Sequence, residues 1–339
     1  MTESKIGVLL VNLGTPDSPK VPDVRKYLRE FLMDERVIDI PFLSRWLLVN
    51  LIIAPFRAPK SARIYRELWT ENGSPLLHFG RHNEKQLQEL LGNDFVVKLG
   101  MRYQRPSITQ ALEELSQYPL RSLIVLPLFP QYASATTGSV HQKVMEIISR
   151  WTNIPEIRFV NTYFDHPLFI KAFVERAQKA LKNKDYDYLL FSYHGLPERQ
   201  IYKSSIDNYC NLGECCHAYT AKNLKCYRAQ CFETSRTLAR KMNIPDEKYQ
   251  VVFQSRLGKD PWIQPYAEEV IRTLPSRGYK KVAVMVPSFV ADCLETNIEV
   301  GEEFREVFKK AGGKEWIFIE SLNDSDTWLE CLYSLVKGT

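Results

Sequence analysis

The chain has 339 residues, more than a single hydrophobic core usually organises, and its 45% hydrophobic and 25% charged residues exclude a disordered, collagenous or low-complexity protein. Its 45 Lys and Arg against 40 Asp and Glu leave a net charge of +5. That excess suits anionic ligands or a membrane surface but lacks the clustering of a nucleic-acid binder, so nucleic acid is excluded as a partner.

The N-terminal stretch "MTESKIGVLLVNLGTP" enters a strand pattern before any signal-peptide organisation develops, so a cytoplasmic location is expected. In that reducing compartment the seven cysteines are expected as thiols or metal ligands, not disulfides. Short β-branched runs follow: "IGVLLVNL" at 6–13, "FVVKLGM" at 95–101, "SLIVLPLF" at 122–129 and "IRFV" at 157–160. The rhythm restarts with "YDYLLFSYH" at 186–194, "YQVVFQS" at 249–255, "KVAVMVPSF" at 281–289 and "EWIFIES" at 315–321. Buried parallel strands read this way. Segments 107–118 and 263–274 carry helical spacing, 290–310 predicts one long helix, and "DSDTWLECLYSLVK" predicts a last one. The expected fold is α/β, with two similar Rossmann-like domains, each a four-stranded parallel sheet flanked by helices. The domains are expected at 1–162 and 163–321, the second containing a Cys-rich insertion at 205–231. The run Trp46 to Phe56, "WLLVNLIIAPF", has 11 residues and is too short to span a bilayer.

In parallel sheets the ligand lies beyond the carboxyl ends of the strands, so the residues there are the candidates. After the first strand, "NLGTPDSP" lacks the G-x-G-x-x-G of a dinucleotide site, and no G-x-x-x-x-G-K-[ST] occurs, which argues against nucleotide cofactors. "MRYQRPSITQAL" offers Arg102, Tyr103 and Arg105, and "PLFPQYASATTGS" offers Phe129 and Tyr132. Aromatic residues are often only core, but here, with hydroxyl and guanidinium groups, they suit a large, flat, apolar ligand with acidic substituents. "FSYHGLPERQ" puts His194 at the end of the fifth strand, where a hydrogen-bonded structural role is the competing reading. In "VPSFVADCLETNIEVGEEF", Asp292, Glu295, Glu299 and Glu302 or Glu303 are spaced to share one helix face. Glu302 and Glu303 read as a solvated stripe, whereas Glu295 and Glu299 fall within the first two turns and face the expected cleft.

Cys210 to Cys231, "CNLGECCHAYTAKNLKCYRAQC", holds five cysteines: Cys210, Cys215, Cys216, Cys226 and Cys231. The spacing C-x4-C-C-x9-C-x4-C lacks the C-x2-C knuckles of common zinc sites and only partly matches plant-type [2Fe–2S] spacing. On one helix Cys226 and Cys231 would stand about 140° apart, so both reach one cluster only if the helix begins between them.

The motifs "GVLLVNLGTP", "GSPL", "MRY", "PQYASATTGS", "FSYHGLP", "FQSRLGKDPWIQP" and "PSFVADCLET" together resemble ferrochelatase, in that family's order, over about residues 5–320. The resemblance implies two α/β domains flanking a deep cleft, with the C-terminal helix 322–339 packing back on the first domain. It implies insertion of Fe2+, as substrate, into protoporphyrin IX to form protohaem. His194 is then the catalytic histidine and a contact for the substrate iron, with Glu295 beside it and Glu299 one turn deeper. Arg57, Lys60, Tyr65 and Ser74 match positions that meet the propionates, although ordinary surface charge competes for Arg57 and Lys60. Leu13, Phe129, Trp262 and Phe289 match walls of the slot, and Arg102 and Tyr103 match polar residues deeper in it. The run 46–56 becomes an apolar lip with peripheral contact to the inner membrane, a plain buried helix being its rival. Some relatives hold a histidine where Cys293 stands, which leaves Cys293 a structural role. A leucine at position 13 cannot ligate iron, which favours protoporphyrin over coproporphyrin III. Some ferrochelatases carry a [2Fe–2S] cluster, which four of the five clustered cysteines would hold, with Cys231 the bystander; zinc and free thiols are the alternatives. A chelatase for another divalent metal and a non-catalytic porphyrin or haem carrier are the rival functions, and no oligomeric state follows from the pattern.

Overall fold

The computed structural model describes residues 4–256, 258 and 260–338. Leu257 and Lys259 of the "FQSRLGKDPWIQP" motif, and Thr339 at the end of the expected last helix, lie outside the described residues. The chain divides into two compact units, one of residues 4–129, 133–161 and 329 onward, the other of 130–132 and 162–328.

The first unit is built on four parallel strands, β1 (Lys5–Gly14), β2 (Phe95–Tyr103), β3 (Leu120–Pro127) and β4 (Glu156–Phe159), in the order β2-β1-β3-β4. The central strand is buried without alternation from Val8 to Val11, because helices cover both faces of the sheet. Helices Ile108–Leu115 and Ser139–Ile148 pack Leu112, Leu115, Val140 and Val144 against Leu9, Val11 and Leu123. The first of these helices is shorter than its hydrophobic pattern suggests, and Ser107 and Gln110 close its N-terminus with a reciprocal capping box. From Leu329 onward the helix Asp326–Lys337 belongs to this unit. Arg158 donates to its last carbonyls, at 2.9 Å to Leu335 and 2.5 Å to Val336, and Lys337 stands over the Phe95 ring.

The second unit repeats the plan. Strands β5 (Tyr188–His194), β6 (Tyr249–Gln254), β7 (Lys281–Met285) and β8 (Glu315–Ile319) run parallel in the order β6-β5-β7-β8. Leu190, Val252, Val282 and Val284 form its core with Ile271, Leu274, Phe304 and Phe308 of the covering helices. The strand expected over 281–289 ends at Met285, two residues before Pro287, which has no N–H for a ladder.

The long helix expected over 290–310 is corrected in two ways. Its first residues are not helical: the buried Asp292 carboxylate accepts the Ser321 N–H at 3.0 Å and the Asn323 amide at 2.9 Å, and its own N–H donates to Asn323. Asp292 thus anchors the chain after β8 and is not on the helix face with Glu295. The turn Glu295–Glu303 is then wound as a π-helix before ordinary helix resumes at Phe304–Lys310. Such wide turns are rare and concentrate at functional sites.

The apolar run near residue 50 is also not a buried helix. Helix Phe42–Leu47, the π-turn Leu48–Ile53 and helix Ala54–Leu68 follow one another, and Val49 and Ala54 face inward. Phe42, Leu43, Trp46, Leu47, Leu51, Ile52 and Phe56 are all exposed, Phe56 to 79%.

Candidate functional site

In the second unit the site begins at the carboxyl ends of β5 and β6, where the parallel register puts His194 beside Gln254. The imidazole Nδ1 lies 2.7 Å from the Gly195 carbonyl oxygen. A carbonyl can only accept, so Nδ1 carries a proton, and in the neutral ring Nε2 is then the nitrogen with the lone pair. Gly195 is required here: a Cβ on it would sit 2.8 Å from the Gln254 carbonyl oxygen and 3.2 Å from the Trp262 ring. Trp262 is half-buried, with its ring centroid 6.5 Å from that of His194.

Gln254 joins the strands to the π-turn. Its Nε2 donates to the Glu299 carboxyl at 3.0 Å and to the Glu295 backbone carbonyl at 3.2 Å, the latter a pure acceptor, so its Oε1 faces the Ser192 hydroxyl at 2.6 Å. Ser255, in the left-handed region at φ 65°, adds a second donor to Glu299 at 2.5 Å. Burial pushes the Glu299 carboxyl above the usual range, and the nearby Glu295 charge adds to this, while the Ser255 and Gln254 donors and His194 pull the other way. Glu295 is half-buried beside the buried Cys293, whose thiol is raised by burial first and then by the Glu295 charge. Glu302 and Glu303 are exposed. The structure therefore gathers His194, Glu295 and Glu299 within electrostatic reach of one another, on a scaffold made by Gln254 and Ser255. Those two scaffold residues were missed from sequence; their signal was their place at the end of β6, next to the end of β5.

The remaining candidates of this unit lie apart from that scaffold. Tyr132 donates its backbone N–H to Gln230 at 2.7 Å, and Phe289 packs half-buried against the core. The cysteines form their own cluster. The Cys215 and Cys216 sulfurs are 3.9 Å apart, and Cys210 and Cys226 lie within electrostatic reach of them. The Cys216 hydrogen bond lowers the Cys226 thiol, helped by backbone N–H groups of the helix Tyr227–Lys241 that Cys226 caps. That helix begins between Cys226 and Cys231, and Cys231 lies fully buried against Tyr227. Among the described residues no three His, Cys, Asp or Glu side chains close on a single-ion site.

In the first unit Arg102 and Tyr103 are tied down from below. Arg102 donates to Asp34 and to Ser139, each at 2.6 Å, and the Tyr103 hydroxyl donates to the same Asp34 oxygen at 2.9 Å. Ser139 completes the group through its own hydroxyl on Asp34. Burial, followed by the Asp34 charge, raises the Tyr103 phenol far above its ordinary value. Asp34 went unnoticed in the sequence because it lies in a loop 68 residues from Arg102 with no motif around it. Phe129 packs half-buried against the core, and Leu13 is half-buried at the end of β1. Tyr65 is buried edge-on to Tyr27, while Arg57 and Lys60 are exposed on the same helix. Ser74, at the N-terminus of helix Pro75–Leu91, lines an open cavity of about 940 Å³ with Trp69, Arg81 and Arg105.

Comparison with known proteins gives a consistent result. The family model described as ferrochelatase matches residues 5–339. A ferrochelatase of Coxiella burnetii (strain Dugway 5J108-111) is 45% identical over 335 residues, covering 98% of this chain and 94% of that protein. One from Legionella pneumophila (strain Corby) is 45% identical over 331 residues, covering 98% of each. The solved structure of SirB from Bacillus subtilis with Fe3+ matches at a TM-score of 0.52 and 11% identity, over 98% of this chain and 94% of that one, a likeness of fold.

The raised Glu299 carboxyl has a defined consequence for stability. A carboxyl whose folded pKa lies above its unfolded value contributes stability that is fully present below the unfolded pKa and is lost as pH rises through the folded one. Glu299→Gln, which removes the charge and keeps an acceptor for Ser255, is therefore expected to be more stable than the parent chain at pH 7 to 8. The difference should vanish as pH falls towards about 4.3. Thermal midpoints measured across that range check this; a variant less stable at pH 8 than at pH 5, relative to the parent, would contradict the raised pKa.

Proposed function

This chain belongs to the ferrochelatase family, and we propose that the metal chelatase activity of that family, insertion of ferrous iron into a porphyrin for haem synthesis, is exercised here on protoporphyrin IX through His194, Glu295 and Glu299. The observation that carries the reading is the His194 imidazole with Nδ1 committed to Gly195, within electrostatic reach of the half-buried Glu299. Iron entry requires both pyrrole N–H protons to leave the ring centre. His194 Nε2 accepts a pyrrole proton, and Glu299, whose environment favours the protonated form, receives it in turn. Glu295, nearer the start of the π-turn, passes protons outward or offers a hard oxygen to the incoming ferrous ion. A carrier would have no use for a free lone pair joined to a carboxylate row, which favours the enzyme.

The resemblance assigns Arg57, Lys60, Tyr65 and Ser74 of the first unit to the propionates, with Leu13 and Phe129 as apolar walls. Arg102 and Tyr103, held by Asp34, are assigned as fixed polar contacts. In the second unit Trp262 and Phe289 are assigned as walls and Tyr132 as a further porphyrin contact. Leu13 supports protoporphyrin, since leucine offers no axial ligand. His194→Ala is expected to lower iron insertion by about 100-fold or more, assayed without oxygen by the metalloporphyrin spectrum, while porphyrin binding persists. Unchanged insertion would sink the assignment.

The thiol cluster fits a [2Fe–2S] centre better than a zinc ion. A [2Fe–2S] cluster takes four thiolates, Cys210, Cys215, Cys216 and Cys226 lie within electrostatic reach of one another, and their spacing lacks the C-x2-C knuckles of common zinc sites. These four residues would hold it, Cys231 standing aside, and the bound cluster would supply one-electron redox capacity. Purified protein is expected to be coloured and to contain iron and labile sulfide. Cys226→Ser should lose both and Cys231→Ser should keep them; a colourless wild type refutes this reading.

No helix among the described residues is long and apolar enough to cross a membrane. The exposed Phe42, Leu43, Leu51, Ile52 and Phe56 instead support peripheral contact with the inner membrane, which concentrates the apolar substrate, from the cytoplasmic side. Leu47→Glu and Ile52→Glu are expected to reduce co-sedimentation with liposomes, and unaltered co-sedimentation would remove the membrane role.

A further inference from the structure

The peptide group between His194 and Gly195 is held on both edges. Its N–H donates to the Gln254 carbonyl at 2.8 Å, and its C=O accepts from the Tyr227 hydroxyl at 2.9 Å. The next carbonyl, that of Gly195, accepts the imidazole Nδ1–H. The orientation of this one peptide therefore decides whether the ring can keep its proton on Nδ1. Gln254 comes from the neighbouring strand, but Tyr227 comes from elsewhere. It is the first residue of the helix Tyr227–Lys241, directly after Cys226, and Cys231 touches the same phenol one turn later. Tyr227 is buried, so no water replaces its hydroxyl if the bond is lost. The helix is also fastened to the cysteine segment further along, where Arg236 donates to the Cys216 carbonyl at 3.0 Å and Gln230 to the Leu224 carbonyl at 2.7 Å.

We propose that Tyr227 is a positioning residue for iron insertion: its hydroxyl sets the His194–Gly195 peptide so that the imidazole stays the Nδ1–H tautomer, and it transmits the state of the cysteine segment to that ring. The second half rests on the reading of Cys210, Cys215, Cys216 and Cys226 as cluster ligands; the first half does not. A ligand gained or lost at Cys226 moves the helix N-terminus, and the phenol is the next side chain along. Free imidazole favours the proton on Nε2, which would block that nitrogen as a proton acceptor, so releasing the peptide turns the ring towards an inactive form.

Tyr227→Phe keeps the ring and deletes the donor. With 15N-labelled histidine, and His194→Gln to identify the signal, wild type should show the Nδ1–H tautomer and Tyr227→Phe a mixture containing the Nε2–H form. In the variant kcat should fall by about tenfold with the KM for porphyrin little changed, the size expected for a partner that orients a reacting group. A role confined to stability would lower the thermal midpoint and leave the ring spectrum alone, and an unchanged spectrum in Tyr227→Phe overturns the proposal. Stripping iron and sulfide from the wild type with a chelator should shift the His194 ring signals, and the same treatment should leave those of Tyr227→Phe in place. Equal shifts in both proteins, or none in wild type, overturn the transmission. Protein isolated without iron or labile sulfide overturns the cluster reading and the second half with it, while the tautomer comparison still decides the first.

Discussion

The side-chain amide of Gln254 is the joint on which the second unit's site depends. One amide group faces a hydroxyl on β5 with its oxygen and a carbonyl and a carboxylate on the π-turn with its nitrogen. Because the Glu295 carbonyl accepts only, the amide has a single satisfied orientation, and that orientation ties the strand ends to the acidic turn. The backbone of the same residue holds Gly195, so the imidazole and the deeper carboxylate are referred to one side chain and its own main chain. The π-winding follows the same logic. The turn closed by i→i+5 bonds carries Glu295 and Glu299, with Thr296 and Ile298 buried behind them.

Two kinds of metal-ligating side chain stand in separate segments of the second unit. Imidazole and carboxylates, borderline and hard donors, stand at the end of β5. Thiols, the soft donors, crowd into the segment between β5 and the helix Tyr227–Lys241. Only Tyr227 and Cys231 lie on the path from one to the other among the contacts of that helix described above.

Much of the fold was legible because parallel strands buried on both faces are written as unbroken β-branched runs, and the eight runs correspond to β1–β8. The errors fell where a local pattern was overruled by a distant partner. The helical spacing of Asp292 with Glu295 was real as a pattern, yet Asp292 was taken by Ser321 and Asn323 on the far side of β8. The apolar run near residue 50 reads equally well as core or as surface, since hydrophobicity does not say whether anything covers it, and here nothing in its own unit covers Phe56 or Ile52.

The sequence by itself determined the α/β class, the order of the strands along the chain, the position of His194 at a strand end and the crowding of thiols in one segment. Each of these follows from local composition and spacing, which act over a few residues. Tertiary structure alone decided that His194 directs Nδ1 at the Gly195 carbonyl, that burial raises the Glu299 carboxyl, that Asp34 ties Arg102 and Tyr103 together, and that the Cys215 and Cys216 sulfurs meet while Cys231 is buried in the helix Tyr227–Lys241. Those properties depend on desolvation and on hydrogen bonds between residues far apart in the chain, and no spacing rule carries that information.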